Sequence, residues 1–226
     1  MNASDVQTTQ FFARRRFLGG TAATLAVGIC EAFPVSSAGA DPAGLNVLGP
    51  RAGYSPQIGA FVSELMWMRE ANGVLSATKG LSQADLDYLL DKNANTIGAL
   101  MLHLAATETY YQMNTFDGMK WDSWSAEIKR KWDAPMELGD AGRQSIKGHD
   151  RDYYVNILHE VREKTLAEFR KRDDAWLLTV DKDWPWGGGP TNNHCKWFHV
   201  CEHEAHHTGQ IALLRKRLPG AKPSSE

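Results

Sequence analysis

The sequence predicts an all-α fold, a bundle of four long helices with a long connection between the second and the third. Apolar residues recur at steps of three and four in four separate stretches, and no stretch alternates convincingly as a strand would. Segments rich in glycine, proline and tryptophan separate these stretches. The last stretch organises the rest. Phe198 to Leu214 reads FHVCEHEAHHTGQIALL and holds four of the protein's eight histidines within nine residues.

At 226 residues, 42% hydrophobic and a formal net charge of -2, the chain is long enough for one good core. It carries no basic excess, so nucleic acid is not expected as a partner. Residues 1–40 differ from the rest. Arg14, Arg15 and Arg16 precede Phe17 and Leu18, a weakly apolar run follows, and Ala38-Gly39-Ala40 stands before Asp41. This pattern predicts a twin-arginine signal peptide, with the twin-arginine export machinery as partner and the periplasm or another exported compartment as destination. The run from Phe17 to Ile29 falls short of the about 18 residues a membrane span requires, so no stable membrane anchor is expected. Lipid attachment at Cys30 is disfavoured by Ile29, where that signal calls for a small residue. Cleavage would remove three arginines and two acidic residues and leave a mildly acidic domain.

Residues 41–55, with Pro42, Gly44, Gly49, Pro50 and Gly53, read as a linker, residues 56–220 as the bundle and residues 221–226 as a tail. The first helix is expected from Gln57 to Thr78, on the spacing of Ile58, Phe61, Val62, Leu65, Met68 and Leu75. Gly80 ends it, and Ser82 is expected to cap a short helix over Ala84 to Leu90. The second long helix is expected from Asn95 to Met113. Its segment IGALMLHLAA is apolar on every side, as in a helix packed between neighbours. From Asp117 to Asp150 periodicity is lost and Trp121, Trp124 and Trp132 gather, with one short helix expected over WSAEIKRKW. The third long helix is expected from Tyr153 to Leu178. Tyr154, Leu158, Val161, Thr165 and Phe169 form its inner face, and charges such as Arg162, Glu163 and Arg170 are expected on a solvated one. The loop DWPWGGGPTNN then enters helix four, with Asn192 or Asn193 as cap and Trp184 and Trp186 placed to plug the bundle or roof a site. Cys195 and Cys201 lie about 9 Å apart along one helix, too far for a disulfide within it.

On helix four, Val200, His203, His207, Ile211 and Leu214 form one stripe at about 100° per residue, so two histidines sit on an apolar face. A single histidine there is usually a satisfied core residue. Two imidazoles one turn apart on one face are a pair that a transition metal can hold. His203, Glu204 and His207 also spell H-E-x-x-H, in which the glutamate serves zinc proteases as general base. The continuation Thr208-Gly209-Gln210-Ile211 lacks the downstream ligand of those enzymes, and Glu204 points about 100° away from His203. A third ligand must then lie upstream. His103, inside the apolar second helix, needs a polar partner and is the candidate. Glu108 is a candidate to orient a histidine, or a surface acid. Gln210, a turn beyond His207, is a candidate to support a ligand or touch substrate, while His199 and His206 lie on the flank.

The order of an amphipathic first helix, HLAATE on the second and HEAHHTGQIALLRKRL on the last resembles the DinB family of four-helix bundles, also called DinB/YfiT-like, over about residues 55–220. The resemblance implies a metal triad at His103, His203 and His207, and its most specific feature is the run from His207 to Ile211. Many members have arginine where this chain has Thr208, so substrate preferences are not carried over. What the resemblance implies is a divalent transition metal, zinc or nickel first, sometimes with a low-molecular-weight thiol. The expected function is an exported metal-dependent enzyme that activates water or a thiol for hydrolysis or transfer on a small-molecule substrate. A thiol kept inside the cell would be scarce beyond the inner membrane, which inclines the expectation towards hydrolysis. The alternative is a non-catalytic protein that stores, senses or delivers its metal through a closed coordination sphere. A homodimer is compatible with such a bundle.

Overall fold

The structure, a computed structural model, describes residues 44–184 and 189–222. The signal-like segment, Trp186 and most of the C-terminal tail lie outside the described residues. The described chain is mostly helical, and no helix in it is long and apolar enough to cross a membrane.

Helix α1 (Pro56–Met66) opens with proline, whose missing N–H is no loss in a first turn, and it runs into a π-helical turn at Trp67–Ala71. One helix to Thr78 is not formed. The helix is interrupted at Asn72–Gly73 and resumes as α2 (Val74–Ala77), and only glycine fits at the break, where a Cβ would lie 1.3 Å from the Met68 carbonyl oxygen. Ser82 and Asp85 form a capping box at α3 (Gln83–Leu86), which stops short of Leu90. Helix α4 (Ile97–Thr115) starts from Thr96, whose hydroxyl accepts from the Ala99 N–H, and is buried on nearly every side.

The long connection carries two helices, α5 (Ala126–Glu137), capped by Ser125, and α6 (Gly139–Ser145). Helix α7 (Arg151–Phe169) ends nine residues before the expected Leu178. The chain turns because Asp173 caps a separate short helix, α8 (Asp174–Leu177), and the Asp174 carboxylate is used elsewhere. It accepts from Ser55 Oγ at 2.5 Å and from the N–H groups of Gln57 and Ile58, and so caps the start of α1. A two-residue antiparallel pair, β1 (Val180–Asp181) with β2 (Thr191–Asn192), leads into α9 (Asn193–Arg215), whose cap is Asn192. Cys195 and Cys201 are free thiols.

Helix α4 packs against α5, α7 and α9. The apolar core falls into two clusters. One joins Leu100, Met101 and Leu104 of α4 to Leu158 of α7 and Ile211 of α9, and the other joins Ile58, Phe61 and Leu65 of α1 to Phe169, Trp197 and Val200. Along the chain, Arg69, Arg162, Glu204, His203 and His207 fall between residues of the two clusters. The polar chemistry is therefore concentrated where the four long helices pass from one apolar cluster to the other.

Candidate metal centre

His103 is 7% exposed on α4, and its Nδ1 lies 2.9 Å from the Pro135 carbonyl oxygen. That carbonyl is available because α5 ends two residues later, and the last four carbonyls of a helix have no partner within it. A carbonyl only accepts, so the proton resides on His103 Nδ1 and the Nε2 lone pair faces away from it. The long connection thus fixes the tautomer of a histidine over thirty residues earlier.

His207 is also 7% exposed, and the step of four from His203 places the two on one ridge of α9. His207 Nδ1 donates to Gln210 Oε1 at 2.8 Å, and Gln210 Nε2 lies 3.0 Å from His206 Nε2. His207 is thereby held with its Nε2 lone pair free. The Nε2 atoms of His103 and His207 lie 3.1 and 3.0 Å from Nε2 of half-buried His203. One ring nitrogen from each histidine lies within 4.8 Å of the other two, a group that could hold a metal ion.

This donor set fits a cation. A proton on His203 Nε2 could serve only one of its two neighbours and would leave a second pair of lone pairs in contact. A tetrahedral ion with bonds of about 2.1 Å would keep its ligand nitrogens about 3.4 Å apart, close to the 3.1 and 3.0 Å seen from His203 Nε2. The rings are also kept neutral, as ligands must be. Burial, then the neighbouring histidines, push His203 down to about 2, and burial and His103 push His207 down to about 4. Burial lowers His103 against the opposing effect of the Pro135 carbonyl.

The other polar groups nearby are engaged. His199 Nδ1 is 2.8 Å from the Tyr111 hydroxyl, which burial keeps protonated. His206 is exposed. Glu108 does not orient a histidine and is not a surface acid. It is fully buried and accepts from Arg69 Nη2 at 2.9 Å, from Arg162 Nε at 2.8 Å and Nη2 at 3.1 Å, and from Thr165 Oγ1 at 2.5 Å. Glu204, 1% exposed, accepts from Arg69 Nε at 2.5 Å and Nη2 at 3.0 Å and from Arg162 Nη2 at 3.0 Å.

On the solvated face expected for α7, Glu163 and Arg170 are exposed, but Arg162 is corrected: it is 2% exposed. Arg162 stands four residues after Leu158, and Arg69 four after Leu65, so each continues an apolar stripe. That position was the available signal, hidden by the charge of the side chain. Lys196 was missed for the same reason. It is 4% exposed and donates to Asp181 and Asn114, each at 2.7 Å, with its ammonium 4.6 Å from the Trp184 ring centre. Trp184 in turn packs on Tyr111 and Trp121, with ring centres 5.8 and 5.2 Å apart. The loop's first tryptophan therefore reaches the aromatic wall beside His199. Its second, Trp186, lies outside the described residues.

A family model described as mycothiol-S-transferase matches residues 64–220, more than half of the chain, and spans all three clustered histidines. The chain belongs to that family. The mycothiol S-transferase family is a DinB-like one, in agreement with the resemblance carried by HLAATE and HTGQI. No curated protein matches the chain.

Proposed function

We propose that this member of the mycothiol S-transferase family is a metal-dependent thiol S-transferase, in which His103, His203 and His207 hold a divalent transition metal, zinc or nickel first. The observation that carries the reading is the convergence of three neutral Nε2 atoms at 3.0 and 3.1 Å within the matched region. A divalent cation held by neutral ligands supplies a Lewis-acid position that keeps a thiol deprotonated near neutral pH. The substrate class is a low-molecular-weight thiol, with mycothiol as the one the family is named for, together with a small electrophile. A sulfur–carbon bond forms at the electrophile, the thiol proton passes to water, and the leaving group departs with its bonding pair.

The protein's own residues prepare this. The Pro135 carbonyl and Gln210 fix two histidine tautomers, and half-buried His203 is the side of the cluster nearest solvent. Storage in a closed coordination sphere would need a fourth protein ligand. Glu108 is committed to two arginines, His199 Nδ1 is paired with the Tyr111 hydroxyl and exposed His206 faces Gln210, which favours an open position and catalysis. Family membership weighs for thiol transfer over hydrolysis.

The test is elemental analysis of untagged wild-type protein and His207→Ala, followed by incubation with a haloalkyl electrophile and mycothiol, cysteine or no thiol. About one equivalent of one metal, lost in the variant, and a thiol conjugate seen by mass spectrometry are expected. A hydrolysed product that forms equally without thiol would return the protein to the hydrolase reading. Export is part of the same proposal, supported by Arg14 to Leu18 and by Ala38-Gly39-Ala40. Fractionation of the host should find a mature chain that starts at Asp41.

A further inference from the structure

We propose that Arg69 and Arg162 are positioning residues for the metal centre, which lock the carboxylates carried by its two ligand helices. The proposal rests on the reading of the three histidines as ligands. Helix α4 carries His103 and, five residues later, Glu108, while α9 carries His203 and, directly after it, Glu204. The two guanidinium groups come from elements without ligands, the π-helical turn after α1 and helix α7. Each of the two arginines reaches both glutamates. Arg69 bonds Glu108 at 2.9 Å and Glu204 at 2.5 and 3.0 Å, and Arg162 bonds Glu108 at 2.8 and 3.1 Å and Glu204 at 3.0 Å. Their remaining Nη1 donors are anchored to the Leu158 and Leu65 carbonyl oxygens at 2.8 and 2.6 Å.

This arrangement is poorly explained by stability alone. Replacing a buried ion-pair set with apolar side chains of similar volume is often neutral or stabilising, and the best-attested use of such a set is to fix register. Here the register in question is that of α4 against α9, and a slip of either helix would part His103 from His203. With two cations and two anions the set is neutral, so it adds no net charge beside the histidines. It also withholds both carboxylates, which leaves a divalent ion with imidazole ligands only. Planar, bidentate guanidinium groups suit the task, whereas a lysine ammonium would hold each carboxylate as a point charge.

The test is metal affinity, by competition with a chromophoric chelator for Zn²⁺, together with the visible spectrum of the Co²⁺-loaded protein. The main variant is Arg69→Met with Glu204→Gln, which removes one opposite pair and leaves Arg162 bidentate on Glu108. It should bind Zn²⁺ at least tenfold more weakly with an altered Co²⁺ spectrum. Arg69→Lys keeps the charge and loses the fork, should shift both readouts in the same direction, and decides the matter if the double variant does not fold. Ile58→Val, in the apolar cluster of α1, should lower the melting temperature and leave both readouts unchanged. Wild-type affinity and spectrum in the folded double variant, or in Arg69→Lys if the double variant is unfolded, would overturn the positioning role and leave the proposed function standing. Failure of the wild type itself to bind metal would instead remove the proposed function, and this role with it.

Discussion

Glu204 directly follows His203, yet its carboxylate is bonded to Arg69 Nε at 2.5 Å and is 1% exposed, on a face of α9 turned away from the ring nitrogens. The H-E-x-x-H spelling is therefore not used as a zinc protease uses it. A general base must reach a substrate proton, and this carboxylate is saturated by two guanidinium groups.

Glu204→Gln separates the two roles. A base would lose activity with its fold intact. The buried ion pair predicts a destabilisation of about 3 kcal/mol, because an arginine is left without its counter-charge. Urea denaturation of metal-free wild type and variant measures it.

Acid should attack the same network. Burial alone would raise Glu108, but Arg162 and Arg69 outweigh it and pull the carboxyl down to about 2. A depressed folded pKa gives stability that is present above the unfolded value and lost as pH falls through the folded one. For Glu108 that amounts to about 3 kcal/mol lost between about pH 4.5 and pH 2. Denaturant midpoints taken down this range should fall in wild type, and more shallowly in a folded Arg162→Met, Glu108→Gln variant.

The histidines act at higher pH. Their folded pKa values are depressed while an unfolded histidine titrates near 6.5, so the unfolded chain binds more protons and metal-free stability falls as pH drops below about 6.5. The loss from His207 should be complete by about pH 4 and that from His203 by about pH 2. In the folded protein the rings of His203 and His207 stay neutral at pH 5.5, so bound metal should be retained there. Equilibrium dialysis across pH 7 to 4 checks this, and release centred near 6.5 would contradict it.

Gln210→Ala removes the acceptor that orients His207 Nδ1. Metal affinity should fall by about 10- to 100-fold, as for other groups that hold a ligand from behind. Gln210 is exposed, so the metal-free melting temperature should hardly move.

Two core substitutions test the packing of α4 on α7. A Cβ at Gly98 would lie 2.8 Å from both Cζ and the hydroxyl oxygen of Tyr154, which is 1% exposed. Gly98→Ala should destabilise by about 1–3 kcal/mol. The Tyr154 hydroxyl itself is buried with no hydrogen-bond partner among the described residues, so Tyr154→Phe should be neutral or stabilising in the same thermal assay.

Four long helices and the three histidines could be read from the sequence because each depends on periodicity within one segment. His203 and His207 are one turn apart on an apolar stripe, and His103 stands in a helix apolar all round, so each betrays burial without knowledge of its neighbours. Caps at Ser82 and Asn192 are equally local. What the tertiary structure decided are the pairings between segments. The break at Gly73, where the backbone passes against the Met68 carbonyl, and the end of α7, beyond which Asp174 caps α1, are of this kind. The burial of Arg69, Arg162 and Lys196 was decided there too, because a charged side chain is stable inside only where partners from other helices meet it, and periodicity carries no record of those partners. The same reason hid the Pro135 carbonyl. The helix that ends beside His103 was set by packing across the bundle, while the histidine that needed it was written in the chain.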